Sequence, residues 1–226
     1  MSTKPHYLGH RQRLKERFMR DAGASLHDYE MLELVLFLAK PRAEVKPLAK
    51  TLIARFGSFA DVITADAKEL VAVKGVGENT AVALKTIQAA AIRLAREQVM
   101  NKPVISSWQK LLDYCRASMA FAKTEEFRVM FLDRKNVLIA DEIQQTGTVD
   151  HTPVYPREVV KRALDLAASA ISMVHNHPSG DPTPSKGDVE MTKEVREACE
   201  KLGISLHDHL IIGKSGHASF KSLGLL

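Results

Sequence analysis

The sequence predicts an all-α first domain followed by an α/β (α+β-like) domain whose strands form a mixed sheet. In the first part, apolar residues recur at three- and four-residue steps between breakers such as Pro41 and Gly57. In the second part, short strand-like segments alternate with helical ones, which is typical of an α/β layer. The charge balance also changes at Pro103. Residues 1–102 carry 17 Lys and Arg against 11 Asp and Glu, and residues 103–226 carry 15 against 16.

Amphipathic segments define the first domain. Leu14 and Phe18 lie four residues apart and share one face of a helix whose other positions are rich in Arg and Lys. Apolar residues repeat with helical spacing over residues 32–39 and again over 48–53. An Ala-rich stretch at residues 80–98 predicts a long final helix.

A glycine-containing turn precedes that final helix. Gly75 and Gly77 permit a tight reversal, and exposed amides beside a helix N-terminus attract phosphate. Lys74 and Lys85 could add charge contacts. The segment at about 70–90 resembles the helix-hairpin-helix module, which grips the DNA backbone without reading its sequence. The alternative is that the two glycines only close a helical turn.

The elements of the second domain are predicted from helix-capping serines, a proline that can begin a helix, and strand-like apolar segments. Ser106 and Ser107 can cap one helix, and Pro156 can begin another. A polar turn at residues 133–136 separates two strand-like runs. We expect helices at 108–120, 156–168 and 188–202, and strands at 127–132, 137–143, 171–174, 204–207 and 210–212.

Composition excludes several classes of protein. The 226 residues are 45% hydrophobic and 26% charged, which is enough apolar surface for a buried core. The longest apolar run, residues 31–39, contains Glu33 and is too short to cross a membrane. Residues 1–20 are polar and basic, unlike a secretory signal. With only Cys115 and Cys199 there is no disulfide framework, so we expect a cytoplasmic protein without a membrane partner.

The densest cluster of potential metal ligands follows the predicted strand at 171–174. His175 and His177 lie two residues apart, so their imidazoles face one side of an extended chain. After a loop with three prolines, Asp188 falls in the first turn of a helix and can supply a third ligand. Two His and one carboxylate supply three ligands to Zn²⁺ and leave its fourth coordination position open for water, as catalytic sites require. The alternative for Ser185 and Asp188 is a simple helix cap.

The order H-x-H, seven residues, then S-x-x-D resembles the JAMM motif of the MPN domain. The H-R-Q-R-L-K-E-R-F segment and the L-x-x-V-K-G-V-G turn extend the resemblance to the RadC (UPF0758) family over nearly the whole chain. The resemblance implies an MPN sheet, related to that of cytidine deaminases, and a zinc-dependent metallopeptidase or amidase. It implies one Zn²⁺ per chain held by His175, His177 and Asp188. It also implies that Ser185 stabilises the oxyanion formed when zinc-bound water attacks an amide carbonyl.

The family pattern also requires a glutamate that accepts the proton of the attacking water. In JAMM domains this glutamate begins the first strand of the sheet, which favours Glu126 as the general base. Glu142 on the next strand is the second choice. Glu125 is expected to point to the opposite face from Glu126.

A second H-x-H, formed by His207, Asp208 and His209, raises two alternatives. Asp208 or His209 could orient a metal-binding histidine, or the triplet could be a polar strand end under a loop.

The sequence is compatible with three functional hypotheses, of which the third is disfavoured. The first is hydrolysis of an unknown peptide or amide. The second is a DNA-associated protein, linked to repair by the family's label, in which the MPN domain is a scaffold. A zinc nucleobase deaminase is disfavoured because the sequence lacks a P-C-x-x-C segment.

Overall fold

The computed structural model describes residues 9–146 and 154–226. The chain divides into two compact units, of which the first ends at Ala90 and the second begins at Ala91. This division precedes the boundary that we predict at Pro103, and it falls inside a helix.

The first unit is helical, as predicted. Its core is built from fully buried leucines, including Leu32, Leu52 and Leu84. The helices are α1 (His10–Asp21), α2 (Asp28–Ala39), α3 (Lys46–Phe56), α4 (Phe59–Thr64), α5 (Ala67–Val71) and α6 (Glu78–Glu97), the last of which continues into the second unit.

The second unit takes in the end of α6, because Ile92 and Ala95 of that helix pack against its buried core, which also contains Val99 and Val104. The elements that follow are a short 3-10 helix (Ile105–Ser107), α7 (Trp108–Met119), β1 (Glu126–Leu132), β2 (Leu138–Thr146), α8 (Pro156–Asp165), β3 (Ala170–Asn176), α9 (Lys186–Glu200), β4 (Ser205–Ile212) and β5 (His217–Ser219).

Within the described residues, the strands form one five-stranded sheet in the order β2-β1-β3-β4-β5. Strands β3 and β4 are parallel and are connected through α9, whereas every other neighbouring pair is antiparallel. A helical region followed by a mixed sheet confirms the predicted fold class.

The two faces of this sheet are covered by different helices. Met130 and Val174 share a buried cluster with α7, and we call this side the α7 face. Phe127 and Met173 share a second cluster with α8 and α9, and we call this side the α9 face. Since strand residues alternate between faces, His175 lies on the α9 face, two residues beyond Met173.

Strand β4 differs from the prediction, which divides it into two strands separated by Asp208 and His209. Polar residues continue this strand because their hydrogen bonds are satisfied inside the fold. Asp208 accepts hydrogen bonds from the backbone N–H groups of His209 and Lys221 and from the hydroxyl of Ser219. The short strand β5 was not predicted.

The turn between α5 and α6 is exposed at Lys74, Gly75 and Gly77. Gly75 adopts φ +95°, a left-handed conformation that favours glycine. Lys85 does not join them. Its ammonium donates to the carbonyl groups of Ile63, Thr64 and Ala65 at 3.0–3.3 Å, at the C-terminal end of α4. The prediction that Lys85 contacts phosphate is therefore wrong, because this cation caps a helix of its own unit.

No helix in the described ranges has the length and apolar character needed to cross a membrane.

Candidate metal centre

Three side chains from two elements converge at the end of β3. His175 lies in β3, His177 follows directly after it, and Asp188 lies in the first turn of α9. The loop between them returns the chain so that α9 begins beside the strand end. The structure thus brings together the three residues that the sequence predicts as metal ligands, and they form a cluster able to hold a metal ion.

The spacing of their donor atoms fits a small divalent cation. The Nε2 atoms of His175 and His177 are 3.0 Å apart. Asp188 places one carboxylate oxygen 3.3 Å from Nε2 of His175 and the other 3.5 Å from Nε2 of His177. Tetrahedral zinc with bonds of about 2.0–2.1 Å requires ligand atoms about 3.3–3.4 Å apart. These separations are close to the spacing of ligand atoms around one zinc ion, and each carboxylate oxygen of Asp188 faces a different imidazole.

A directed chain of hydrogen bonds orients His175. The hydroxyl of Thr192 donates to the backbone carbonyl of Asp188, so its oxygen accepts the Nδ1–H of His209 at 2.7 Å. Nε2 of His209 is then an acceptor, and Nδ1–H of His175 donates to it at 2.8 Å. This order leaves the lone pair of His175 Nε2 directed at the cluster. The prediction that His209 or Asp208 orients a ligand thus holds for His209, whereas Asp208 makes its hydrogen bonds elsewhere.

The other two ligands are fixed by their own loop and helix. Nδ1 of His177 lies 2.8 Å from the carbonyl oxygen of Asp181, which can only accept, so Nε2 carries the free lone pair. The backbone N–H and the hydroxyl of Ser185 both donate to one carboxylate oxygen of Asp188, each at 2.7 Å. Ser185 is the N-cap of α9, and its hydroxyl accepts the N–H of Asp188.

Burial and charge prepare these groups for a cation. Burial lowers the pKa of His175 to about 4, which keeps its imidazole neutral. A hydrogen bond with Asp188 raises the pKa of His177. Burial opposes the ionisation of Asp188, but the hydrogen bond with His177 and the bonds from Ser185 hold its pKa well below the usual range. Two facing lone pairs beside a carboxylate repel unless a proton or a metal cation lies among them.

The cluster opens to solvent on one side. The side chain of His175 is fully buried, whereas those of His177 and Asp188 are 18% and 13% exposed. The solvent-facing side of the cluster is therefore formed by His177 and Asp188, and His175 lies beneath them.

Glu126 does not face this cluster. Its neighbour Phe127 stacks on the ring of His175, with 6.1 Å between ring centroids, so Phe127 occupies the α9 face. The carboxylate of Glu126 instead accepts a hydrogen bond from Arg128 at 2.5 Å, and Arg128 also donates to Tyr114 of α7. The choice of Glu126 as the general base is therefore wrong, because alternation places it on the α7 face.

Glu142, the second choice, is also occupied elsewhere. It lies on β2, which is separated from β3 by β1. Both of its carboxylate oxygens accept hydrogen bonds from Arg162 of α8, at 2.6 and 2.8 Å. This pair lowers the pKa of Glu142 and holds its carboxylate against α8. The assignment of Glu142 as a base is wrong for this reason.

Glu125, which the sequence analysis places on the face opposite Glu126, lies on the side of the metal-ligand cluster. It precedes β1, two residues from Phe127, and so continues the α9 face. The hydrogen bond with Asp188 is the main cause of the raised pKa of His177, and the negative charge of Glu125 adds the smallest contribution. Glu125 shares the phase of Phe127, but the sequence alone does not show that Phe127 pairs with His175.

The predicted role of Ser185, a hydrogen bond to an oxyanion, requires its hydroxyl group to change direction. Its hydroxyl proton is directed at Asp188, so the hydroxyl would have to rotate before it could donate to a substrate oxygen. In the present arrangement Ser185 holds a ligand in place.

Comparison with known proteins identifies the relatives of this fold and site. Residues 105–225 match the RadC-like JAB domain, and residues 7–82 match the UPF0758 N-terminal family. The chain belongs to the RadC (UPF0758) family. A UPF0758 protein of Ruegeria pomeroyi is 60% identical over 223 residues, which cover 98% of this chain and all of the relative. The resemblance seen in the sequence is thereby confirmed.

His209 provides a test of ligand orientation in this RadC-family protein. We expect His209→Phe to lower zinc affinity about 10- to 100-fold, because Nδ1–H of His175 loses its acceptor. The phenyl ring retains the packing of the imidazole against Phe127 and Phe220. Competition with a chromophoric chelator measures the affinity, and His217→Gln, at an exposed histidine of β5, is the control. Equal zinc affinity in His209→Phe and the control would show that the hydrogen bond does not orient the ligand.

Proposed function

We propose that this protein is a zinc-dependent hydrolase that cleaves an amide or peptide bond. The observation that carries the proposal is the convergence of His175, His177 and Asp188. Their Nε2 atoms lie 3.0 Å apart, and the two carboxylate oxygens of Asp188 lie 3.3 Å from one and 3.5 Å from the other. These residues would hold the metal. Zinc bound there would supply Lewis acidity, which lowers the pKa of water to about 7 and polarises a carbonyl group.

Side chains at the solvent-facing side of the cluster would carry out the proton transfers and stabilise the oxyanion. Glu125 would accept the proton of the attacking water on its carboxylate and transfer it to the departing amine nitrogen. Ser185, after its hydroxyl rotates away from Asp188, would donate a hydrogen bond to the oxygen of the scissile carbonyl. The chain from His175 through His209 to Thr192 would keep the ligand geometry constant during these transfers.

Asp188→Asn tests the proposal at its centre. We expect the wild-type protein to bind about one zinc ion per chain and the variant to lose most of it, because an amide oxygen carries no charge to offset that of the cation. We also expect the zinc-loaded protein to produce new N-termini in a peptide mixture derived from a bacterial proteome. Metal content is measured by elemental mass spectrometry, and cleavage is measured by peptide mass spectrometry.

Removal and return of the metal supply the control. A chelator should abolish cleavage, and added zinc should restore it in the wild type but not in Asp188→Asn. Asp181→Asn is a matched variant, since Asp181 makes its hydrogen bond with His177 through its backbone carbonyl, which the substitution leaves in place. Cleavage that persists in Asp188→Asn, or a zinc-loaded wild type that cleaves nothing in the mixture, would contradict the proposal.

DNA binding is a second candidate function, favoured by the exposed turn before α6. Lys74 and the two glycines are open to solvent at the N-terminal end of a 20-residue helix. The dipole of such a helix and one cation together favour a phosphate group.

For this second candidate, we expect Lys74→Gln to weaken binding of duplex DNA and to reduce the slope of log affinity against log salt by about 1. Lys85→Gln should leave that slope unchanged, because Lys85 is bound to the end of α4, and should instead lower the unfolding temperature. Fluorescence anisotropy of labelled duplex with the full chain measures both slopes. Salt-independent binding by the wild type would exclude phosphate contacts.

A further inference from the structure

A second cavity lies on the opposite side of the sheet from the metal ligands. It has a volume of about 300 Å³, near the lower end of the range for small-molecule sites. We call it the α7-side cavity. Its walls include Val104, Trp108, Ser172, His207, Asp208 and Lys221.

A buried hydroxyl in this wall lacks a protein partner. Ser172 is only 1% exposed, and among the residues that the structure describes its Oγ has no hydrogen-bond partner. Ser172 alternates with Ile171 and Met173, which lie on the α9 face, so its side chain faces α7 and the cavity. A buried hydroxyl is rarely left without a partner, so an occupant of the cavity is the natural acceptor or donor for Ser172.

The cavity carries one charge of each sign. Asp208 is 4% exposed and accepts three hydrogen bonds, which hold its carboxylate in the wall. Lys221 supplies an ammonium group close enough to influence His207. Burial, followed by the charge of Lys221, lowers the pKa of His207, so this imidazole adds no second positive charge at neutral pH. A ligand with a single charge would be attracted by one of these two groups and repelled by the other, whereas a ligand with both charges can pair with each.

We propose that the α7-side cavity binds a free α-amino acid with an apolar side chain. The ammonium group of the ligand lies toward Asp208, and its carboxylate lies toward Lys221 and the hydroxyl of Ser172. Its side chain packs on Trp108 and Val104, which form the apolar wall. The volume admits a single amino acid and excludes a longer peptide, and binding requires neither the metal nor hydrolytic activity.

Trp108 is the only tryptophan in the chain, so its fluorescence reports directly on this cavity. We expect L-leucine to change that fluorescence saturably in the full-length, metal-free protein. Two analogues of leucine should bind about tenfold more weakly or worse: 4-methylpentanoate, which lacks the ammonium group, and isoamylamine, which lacks the carboxylate. Ligand-observed saturation-transfer NMR provides a second readout that does not depend on the tryptophan.

Variants separate this site from a general effect on folding. Ser172→Ala removes an unpaired hydroxyl, so we expect unchanged or higher thermal stability together with at least about fivefold weaker leucine binding. Lys221→Gln should weaken binding to a similar extent, whereas Lys201→Gln, at an exposed lysine outside the cavity, should not. Three results would overturn the proposal: no leucine signal in either readout, analogues that bind as tightly as leucine, or full affinity in Lys221→Gln. The first would mean that the cavity holds only water.

Discussion

Glu125→Gln is expected to reduce peptide-bond hydrolysis by roughly 100- to 10,000-fold, which is the usual contribution of a positioned general base. The adjacent substitution Glu126→Gln is expected to leave hydrolysis near the wild-type rate. The two residues are neighbours in sequence but face opposite sides of the sheet, and Glu126 contacts Arg128 on the α7 face. In Glu125→Gln the amide cannot accept the proton of water. In Glu126→Gln the amide keeps the size of the carboxylate and an oxygen that accepts a hydrogen bond from Arg128.

The paired measurement uses the zinc-loaded protein and the peptide that the wild type cleaves best. Zinc content should be the same in both variants, since neither residue is among the three ligands, so a difference in rate then reports on proton transfer alone. The unfolding temperature of Glu126→Gln should fall, because a charged partner of the largely buried Arg128 is lost. If Glu126→Gln loses activity and Glu125→Gln retains it, the assignment of faces is wrong.

Gly213→Ala is expected to displace the loop that carries His177 and to lower zinc affinity at least about tenfold. A Cβ atom at position 213 would lie 2.3 Å from the carbonyl oxygen of Gly180 and 3.0 Å from Pro182. The carbonyl belongs to the backbone and cannot rotate away, so the loop must move. Overpacking of this kind costs about 1–3 kcal/mol of folding stability.

Gly216→Ala is the matched control for this substitution. Both glycines lie in the turn after β4, where the N–H of Gly213 donates to the carbonyl of Gly216 at 2.9 Å. A Cβ atom on Gly216 would meet nothing within 4 Å. Zinc affinity and unfolding temperature should therefore change in Gly213→Ala and remain near wild type in Gly216→Ala. Equal zinc affinity in the two variants would show that the close approach to Gly180 does not position His177.

The ligand cluster could be predicted from the sequence because its geometry is local. His175 and His177 share a face by strand alternation, and Asp188 is placed by a helix start that the sequence marks with Ser185. The general base could not be assigned in the same way. Glu125 and Glu126 differ only in phase, and the phase is set by the pairing of Phe127 with His175 across β1 and β3.

Other features were hidden because they depend on contacts between distant segments. The capping of α4 by Lys85 joins residues 20 to 22 positions apart. The continuity of β4 depends on hydrogen bonds that His209 and Asp208 make with other elements. The α7-side cavity combines residues from the 3-10 helix region, β3, β4 and the C-terminal turn, and no local pattern indicates that they meet.

The metal ligands and their orienting chain differ in how early they can form during folding. Residues 175–188 contain all three ligands in one continuous stretch, so these atoms can meet by closing a single short loop. His209 reaches His175 only after α9 has crossed over and β4 has docked in parallel beside β3. The slow, long-range pairing of β4 with β3 thus follows the fast, local closure of the loop that carries the three candidate ligands. A divalent cation bound by these residues could therefore enter early in folding, and β4 would afterwards fix the imidazole of His175.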